Sequence, residues 1–155
     1  MAVFTATEAL EMALNIEKNG EIFYNEVAEK STDPDVKALF EDLAAQERAH
    51  YQVFQKMLGT AEPASDLQAT EYDEYQAYLQ VALDNALFAG TDKALTLAKE
   101  AQDAETALRA AMGFEKDTML FFYDMREMVS EADREAITGV IREEKKHLRR
   151  LAGML

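Results

Sequence analysis

The sequence predicts an all-α fold: a four-helix bundle of two antiparallel hairpins, joined by a long crossover that contains a short extra helix. Three observations predict it. Only two prolines and six glycines interrupt 155 residues, and the long stretches of Ala, Leu, Glu, Lys and Met between them are strong helix formers. Four segments carry apolar residues at alternating steps of three and four, the spacing of a bundle seam. Two connections read as tight turns, whereas the stretch between Gly59 and Thr91 is far too long for one.

The elements follow in order. A first helix spans 5–30, starting at Thr5 or Thr7. It stops at Ser31-Thr32-Asp33-Pro34, where Ser31 or Asp33 can cap the next helix and Pro34 suits its first turn. The second helix spans 35–58 and ends at Gly59, which suits a C-cap. Residues 60–69 read as a loop with Pro63 and Ser65. A short Tyr-rich helix over 71–89 closes at Gly90. Thr91 or Asp92 then caps a third long helix over 92–129, and Ser130 starts a fourth over 131–155. All of this fits one domain, 1–155, because 48% apolar content supports a continuous core.

Composition excludes several function classes. A formal net charge of −14 disfavours nucleic acid and anionic membrane as partners. No apolar run approaches a membrane span and no secretory segment is recognisable, so the expectation is a soluble cytoplasmic protein. With no cysteine, there is no thiolate metal site, no iron–sulfur cluster and no catalytic thiol. Any metal must be held by carboxylate and imidazole.

The seams carry the functional signal. They read Leu10, Ala13, Glu17, Gly20, Tyr24, Val27 in the first helix and Val36, Phe40, Leu43, Glu47, His50, Phe54, Met57 in the second. The third reads Ala94, Leu97, Ala101, Ala104, Leu108, Ala111, Glu115, Thr118, Phe122, Met125, Val129, and the fourth Ile137, Val140, Glu144, His147, Leu151, Met154. A glutamate breaks every seam, and a histidine follows one step later in two of them. Glu47-x-x-His50 and Glu144-x-x-His147 contain both histidines of the chain.

Each glutamate lies about fifteen residues from its hairpin turn, roughly 22 Å at helical rise, so all four share one level. Four buried carboxylates together would cost several kcal/mol per unpaired charge, on the order of what two divalent cations remove. The inventory is that of a carboxylate-bridged two-metal centre. The halves also match as sequence: Ile16-Glu17-Lys18 parallels Phe114-Glu115-Lys116, which suggests a pseudo-twofold axis.

Other residues have plainer readings. Tyr24 reads first as core packing and second as a hydroxyl that reaches a ligand. Tyr72, Tyr75 and Tyr78 read as the buried face of the crossover helix. Met112, Met119, Met125 and Met128 read as gap fillers, and Lys145, Lys146, Arg149 and Arg150 as a solvated helix face near a negative helix end.

Glu17 with Tyr24, Glu47-Arg48-Ala49-His50, Phe114-Glu115-Lys116-Asp117 and Glu144-Lys145-Lys146-His147 together resemble the rubrerythrin branch of the ferritin-like di-iron superfamily, over nearly the whole chain. The resemblance implies a ferritin-like bundle and a non-haem centre of two iron ions per chain, with manganese or zinc as substitutes. By position it implies that Glu47 and Glu144 bridge the metals, that Glu17 and Glu115 are terminal carboxylates, and that His50 and His147 are terminal imidazoles. It also makes these six the catalytic set.

Two departures stand out. Rubrerythrins usually carry a four-cysteine rubredoxin domain, absent from these residues, so electrons are expected from a separate donor protein. Rubrerythrins also use a second carboxylate one turn from the first on the third helix. Here Ala111, Met112, Thr118 and Met119 occupy those places.

The expected function is therefore a di-iron oxidoreductase that reduces peroxide or O2. The alternatives are an iron-handling protein without turnover, or a helix bundle without metal. A homodimer through the crossover helix is expected.

Overall fold

The computed structural model describes residues 5–60, Glu74, Ala77 and 90–155. Among them are five helices: α1 (Ala6–Lys30), α2 (Pro34–Thr60), α3 (Thr91–Glu100), α4 (Ala104–Arg126) and α5 (Glu131–Gly153). The loop and Tyr-rich helix expected over 60–89 fall almost entirely outside the described residues, as do Tyr72, Tyr75 and Tyr78.

Local chemistry sets most helix ends. Thr5 opens α1 through a capping box: its hydroxyl accepts from the Glu8 amide, and the Glu8 carboxylate accepts from the Thr5 amide. Of the two caps expected for α2, Asp33 serves, accepting from the amides of Asp35 and Val36 at 2.8 and 3.3 Å. Ser31 instead turns its hydroxyl back to the Val27 carbonyl. Ser130 caps α5 by accepting from the Asp133 amide.

Three expectations are corrected. α2 does not stop at Gly59 but continues to Thr60, whose hydroxyl closes on the Lys56 carbonyl at 3.3 Å. Neither Thr91 nor Asp92 caps α3; Gly90, at φ 131°, takes that position without a side chain. The helix expected over 92–129 is two helices, α3 and α4, and α4 ends at Arg126.

The break has a physical cause. Asp103 caps α4 by accepting from the Thr106 amide at 2.7 Å. The carbonyls freed at the end of α3 are taken by Lys30, which donates to Ala101 and Lys99. The interruption rotates Ala104 to the surface, off the seam the periodicity assigned to it.

Packing is closest within each hairpin, α1 on α2 and α4 on α5, with α3 laid against α1. The hairpins meet where α1 faces α4 and α2 faces α5. Tyr24 packs between Phe40 and Phe114, at 5.7 and 6.2 Å between ring centroids. Phe54 meets Phe122 at 5.0 Å. Glu47 and Glu115 also share one cluster, and each of these phenylalanines lies two turns beyond its glutamate. Equal advance along both helices means that α2 and α4 run parallel, which a tight turn cannot connect.

Candidate metal centre

All four long helices deliver acids to one point inside the bundle. Glu17 comes from α1, Glu47 and His50 from α2, Glu115 from α4, Glu144 and His147 from α5. The i, i+3 spacing of each Glu–His pair puts both side chains on one helix face. The four glutamates are fully buried and the two histidines 2% exposed. The structure brings together all six residues the sequence singled out.

Their donor atoms form two overlapping groups, each within 4.8 Å: Glu17, Glu47, His50 and Glu144, and Glu47, Glu115, Glu144 and His147. Glu47 and Glu144 belong to both. His50 Nδ1 lies 2.9 Å from Glu144 Oε1 and 3.6 Å from Glu17 Oε2. His147 Nδ1 lies 2.8 Å from Glu144 Oε2, 3.5 Å from Glu47 Oε1 and 3.6 Å from Glu115 Oε1. The two imidazoles stack at 5.6 Å with 21° between their planes.

Electrostatics sort the acids. Burial, reinforced by neighbouring carboxylates, pushes Glu17, Glu47 and Glu115 well above the usual carboxylate range. Burial opposes ionisation of Glu144 as well, but the His147 and His50 imidazoles beside it outweigh burial and hold that carboxyl well below the range. Burial lowers the histidines too, and the acids reverse it. Contacts with Glu144, Glu47 and Glu143 carry His50 to about 9. Contacts with Glu115, Glu144 and Glu47 carry His147 to about 12.

The donor set fits divalent cations. Both oxygens of Glu17 and of Glu47, Oε2 of Glu115, Oε1 of Glu144 and Nδ1 of His50 are buried without a hydrogen bond. Buried polar atoms are nearly always satisfied. Here these unsatisfied ligand atoms converge on two points, each ringed by three carboxylates and one imidazole, which are hard and borderline ligands suited to iron, manganese or zinc.

Three contacts support the set. The Tyr24 hydroxyl donates to Glu115 Oε1, so of its two readings the ligand contact holds together with core packing. That hydroxyl is itself pushed well above its ordinary value by burial and by the charges of Glu115 and Glu47. His50 Nε2 lies 2.7 Å from Glu143 Oε2, a half-exposed carboxylate that fixes the ring and turns Nδ1 inward. Gly20 leaves room for the centre: a Cβ there would stand 2.9 Å from the Phe114 ring and 3.1 Å from Glu47 Oε2.

Sequence reasoning missed Glu143 because it followed the seam, and Glu143 sits one residue off it, beside Glu144. Spacing offered no signal for it, because only the packing of α5 on α2 brings it to His50. The exposed basic cluster is also less free than expected, since Arg150 pairs with Asp42 at 2.6 Å and Lys145 lies over the Tyr123 ring.

Comparison with known proteins agrees with this architecture. A family model described as Rubrerythrin matches residues 8–155. A solved structure from Thermotoga maritima, described as a ferritin-like diiron-carboxylate protein, superposes with a TM-score of 0.72 at 23% identity, covering 99% of this chain and 96% of that one. At that identity the likeness speaks to the fold. No curated protein sequence matches the chain. Among the described residues, no helix is long and apolar enough to cross a membrane.

Proposed function

Because the chain belongs to the rubrerythrin family, we propose that it is a non-haem di-iron oxidoreductase, reducing peroxide or O2 with electrons from a separate donor protein. The observation that carries this reading is the pair of overlapping four-ligand groups that share Glu47 and Glu144. Those two glutamates would bridge the ions, with Glu17 and His50 completing one position and Glu115 and His147 the other. When bound, a ferrous pair would supply two electrons, one from each ion, the number needed to reduce a peroxide bond.

The chain's own residues set the conditions. Phe40, Phe54, Phe114 and Phe122, all fully buried, keep bulk water from the acids. Glu143 holds His50 in one orientation. Tyr24 keeps a proton on its oxygen and directs it at Glu115, leaving the remaining Glu115 oxygen for a cation. Since these 155 residues hold no cysteine, a cysteine-held relay would lie outside them.

Elemental analysis of freshly purified protein should find about two metals per chain. Stopped-flow mixing of the anaerobic, Fe(II)-loaded protein with peroxide should then give oxidation far faster than for free Fe(II). A rate no faster than free Fe(II), with two ions bound, would leave iron handling without turnover as the function. A protein that takes up no metal would remove both readings.

A further inference from the structure

Of the buried side-chain atoms that lack a hydrogen bond among the described residues, all but one belong to the six candidate ligands; the exception is Thr118 Oγ1. Thr118 is fully buried on α4. A helical threonine can return its hydroxyl to the carbonyl one turn earlier. Thr60, Thr96 and Thr138 do so here, at 3.3, 2.9 and 2.8 Å. Thr118 does not, and its oxygen has no hydrogen-bond partner among the described residues.

Its height locates it. On α4, Thr118 stands one turn after Glu115 and one turn before Phe122, on the buried face all three share. On the parallel helix α2, His50 stands in the same way between Glu47 and Phe54. Glu47 shares a cluster with Glu115, and Phe54 packs on Phe122. Thr118 is therefore level with His50, across the bundle from the half of the centre formed by Glu17, Glu47, His50 and Glu144. An apolar residue of equal volume would suit a dry wall better than a hydroxyl does.

We infer that Thr118 is a binding residue for a small anion or a water molecule seated at the metal pair, to which its hydroxyl donates a hydrogen bond. The inference rests on the metal-centre reading above and specifies how an exogenous ligand is held there. A hydroxyl serves this purpose where a carboxylate would not: it donates a proton toward negative charge and adds none of its own.

Azide is a suitable probe. Wild-type, Thr118→Val and Thr118→Ser proteins are loaded with iron, oxidised, assayed for metal content and titrated with azide, following the azide-to-iron charge-transfer absorbance. Metal content should be equal in all three. The Val variant should bind azide about tenfold or more weakly, as expected for loss of one hydrogen bond to an anion, and the Ser variant should stay within about threefold of wild type. In the metal-free state the Val variant should melt no lower than wild type, because no native hydrogen bond is lost. Equal azide affinity in the Val variant, or a Ser variant as weak as Val, would overturn the assignment while leaving the metal centre standing. A wild-type protein without iron would overturn both.

Discussion

Replacing Glu47 by Met should make the metal-free protein more stable and abolish its metal binding. Met has nearly the volume of Glu and is a good helix former. Both carboxylate oxygens of Glu47 are buried without hydrogen bonds, and an unsatisfied buried group costs about 1–3 kcal/mol. Glu17 and Glu144 also repel it. Against this, His147 loses a 3.5 Å neighbour but keeps Glu144 at 2.8 Å. A net gain of about 2 kcal/mol follows, or a rise of roughly 4–8 °C in Tm for a chain of this length.

Because Glu47 belongs to both four-ligand groups, neither position survives its loss. Scanning calorimetry with and without excess Fe(II) or Zn(II), together with metal analysis, reads both effects. The stability order should invert, with the variant more stable without metal and wild type more stable with it. A metal-free variant that melts below wild type, or one that retains two ions per chain, would refute the reasoning.

Other consequences are open to test. Glu17, Glu47 and Glu115 are raised above their ordinary 4.5, and His50 is raised from 6.5 to about 9. Each such group contributes stability that is full below its unfolded pKa and lost as pH climbs through the folded one. The Tm of the metal-free protein should therefore fall steadily from about pH 5 to 9 while metal affinity rises, since cations displace protons; a flat or rising Tm would exclude this charge balance. Glu144, lowered by its histidines, acts in the opposite sense and only below its ordinary 4.5. Gly20→Ala sets a Cβ 2.9 Å from the Phe114 ring, and overpacking of about 1–3 kcal/mol should exceed the helix-propensity gain of about 1 kcal/mol. Circular-dichroism melts should show a lowered Tm. Glu143→Ala should weaken metal binding by about 10–100-fold through loss of the His50 partner, with stability changed by less than about 0.5 kcal/mol; competition with a chromophoric chelator measures it, and unchanged affinity would dismiss the contact.

The site was legible in the sequence because acids at core positions violate the strongest pattern a bundle has. Glu17, Glu47, Glu115 and Glu144 sit where only apolar residues are tolerated, so hydrophobic periodicity marked them and their shared height joined them. The break between α3 and α4 was less legible. Leu97, Ala101 and Leu108 keep a helical period through it, and what interrupts the chain is a distant partner, Lys30, together with the Asp103 cap. Periodicity sees neither. Glu143 was hidden for a related reason: its role depends on which face of α5 meets α2, a tertiary fact that one-dimensional spacing does not contain.

Each hairpin packs mainly on itself, yet neither holds a complete set of donors. One four-ligand group takes Glu17, Glu47 and His50 from the first hairpin and borrows Glu144 from the second; the other takes Glu115, Glu144 and His147 from the second and borrows Glu47 from the first. A bound ion would thus work as a clasp between the two halves, added to the aromatic contacts that already join them. Starving the protein of metal should loosen that clasp and expose the inner faces of both hairpins to proteases, so that its lifetime would track the supply of the ions it uses.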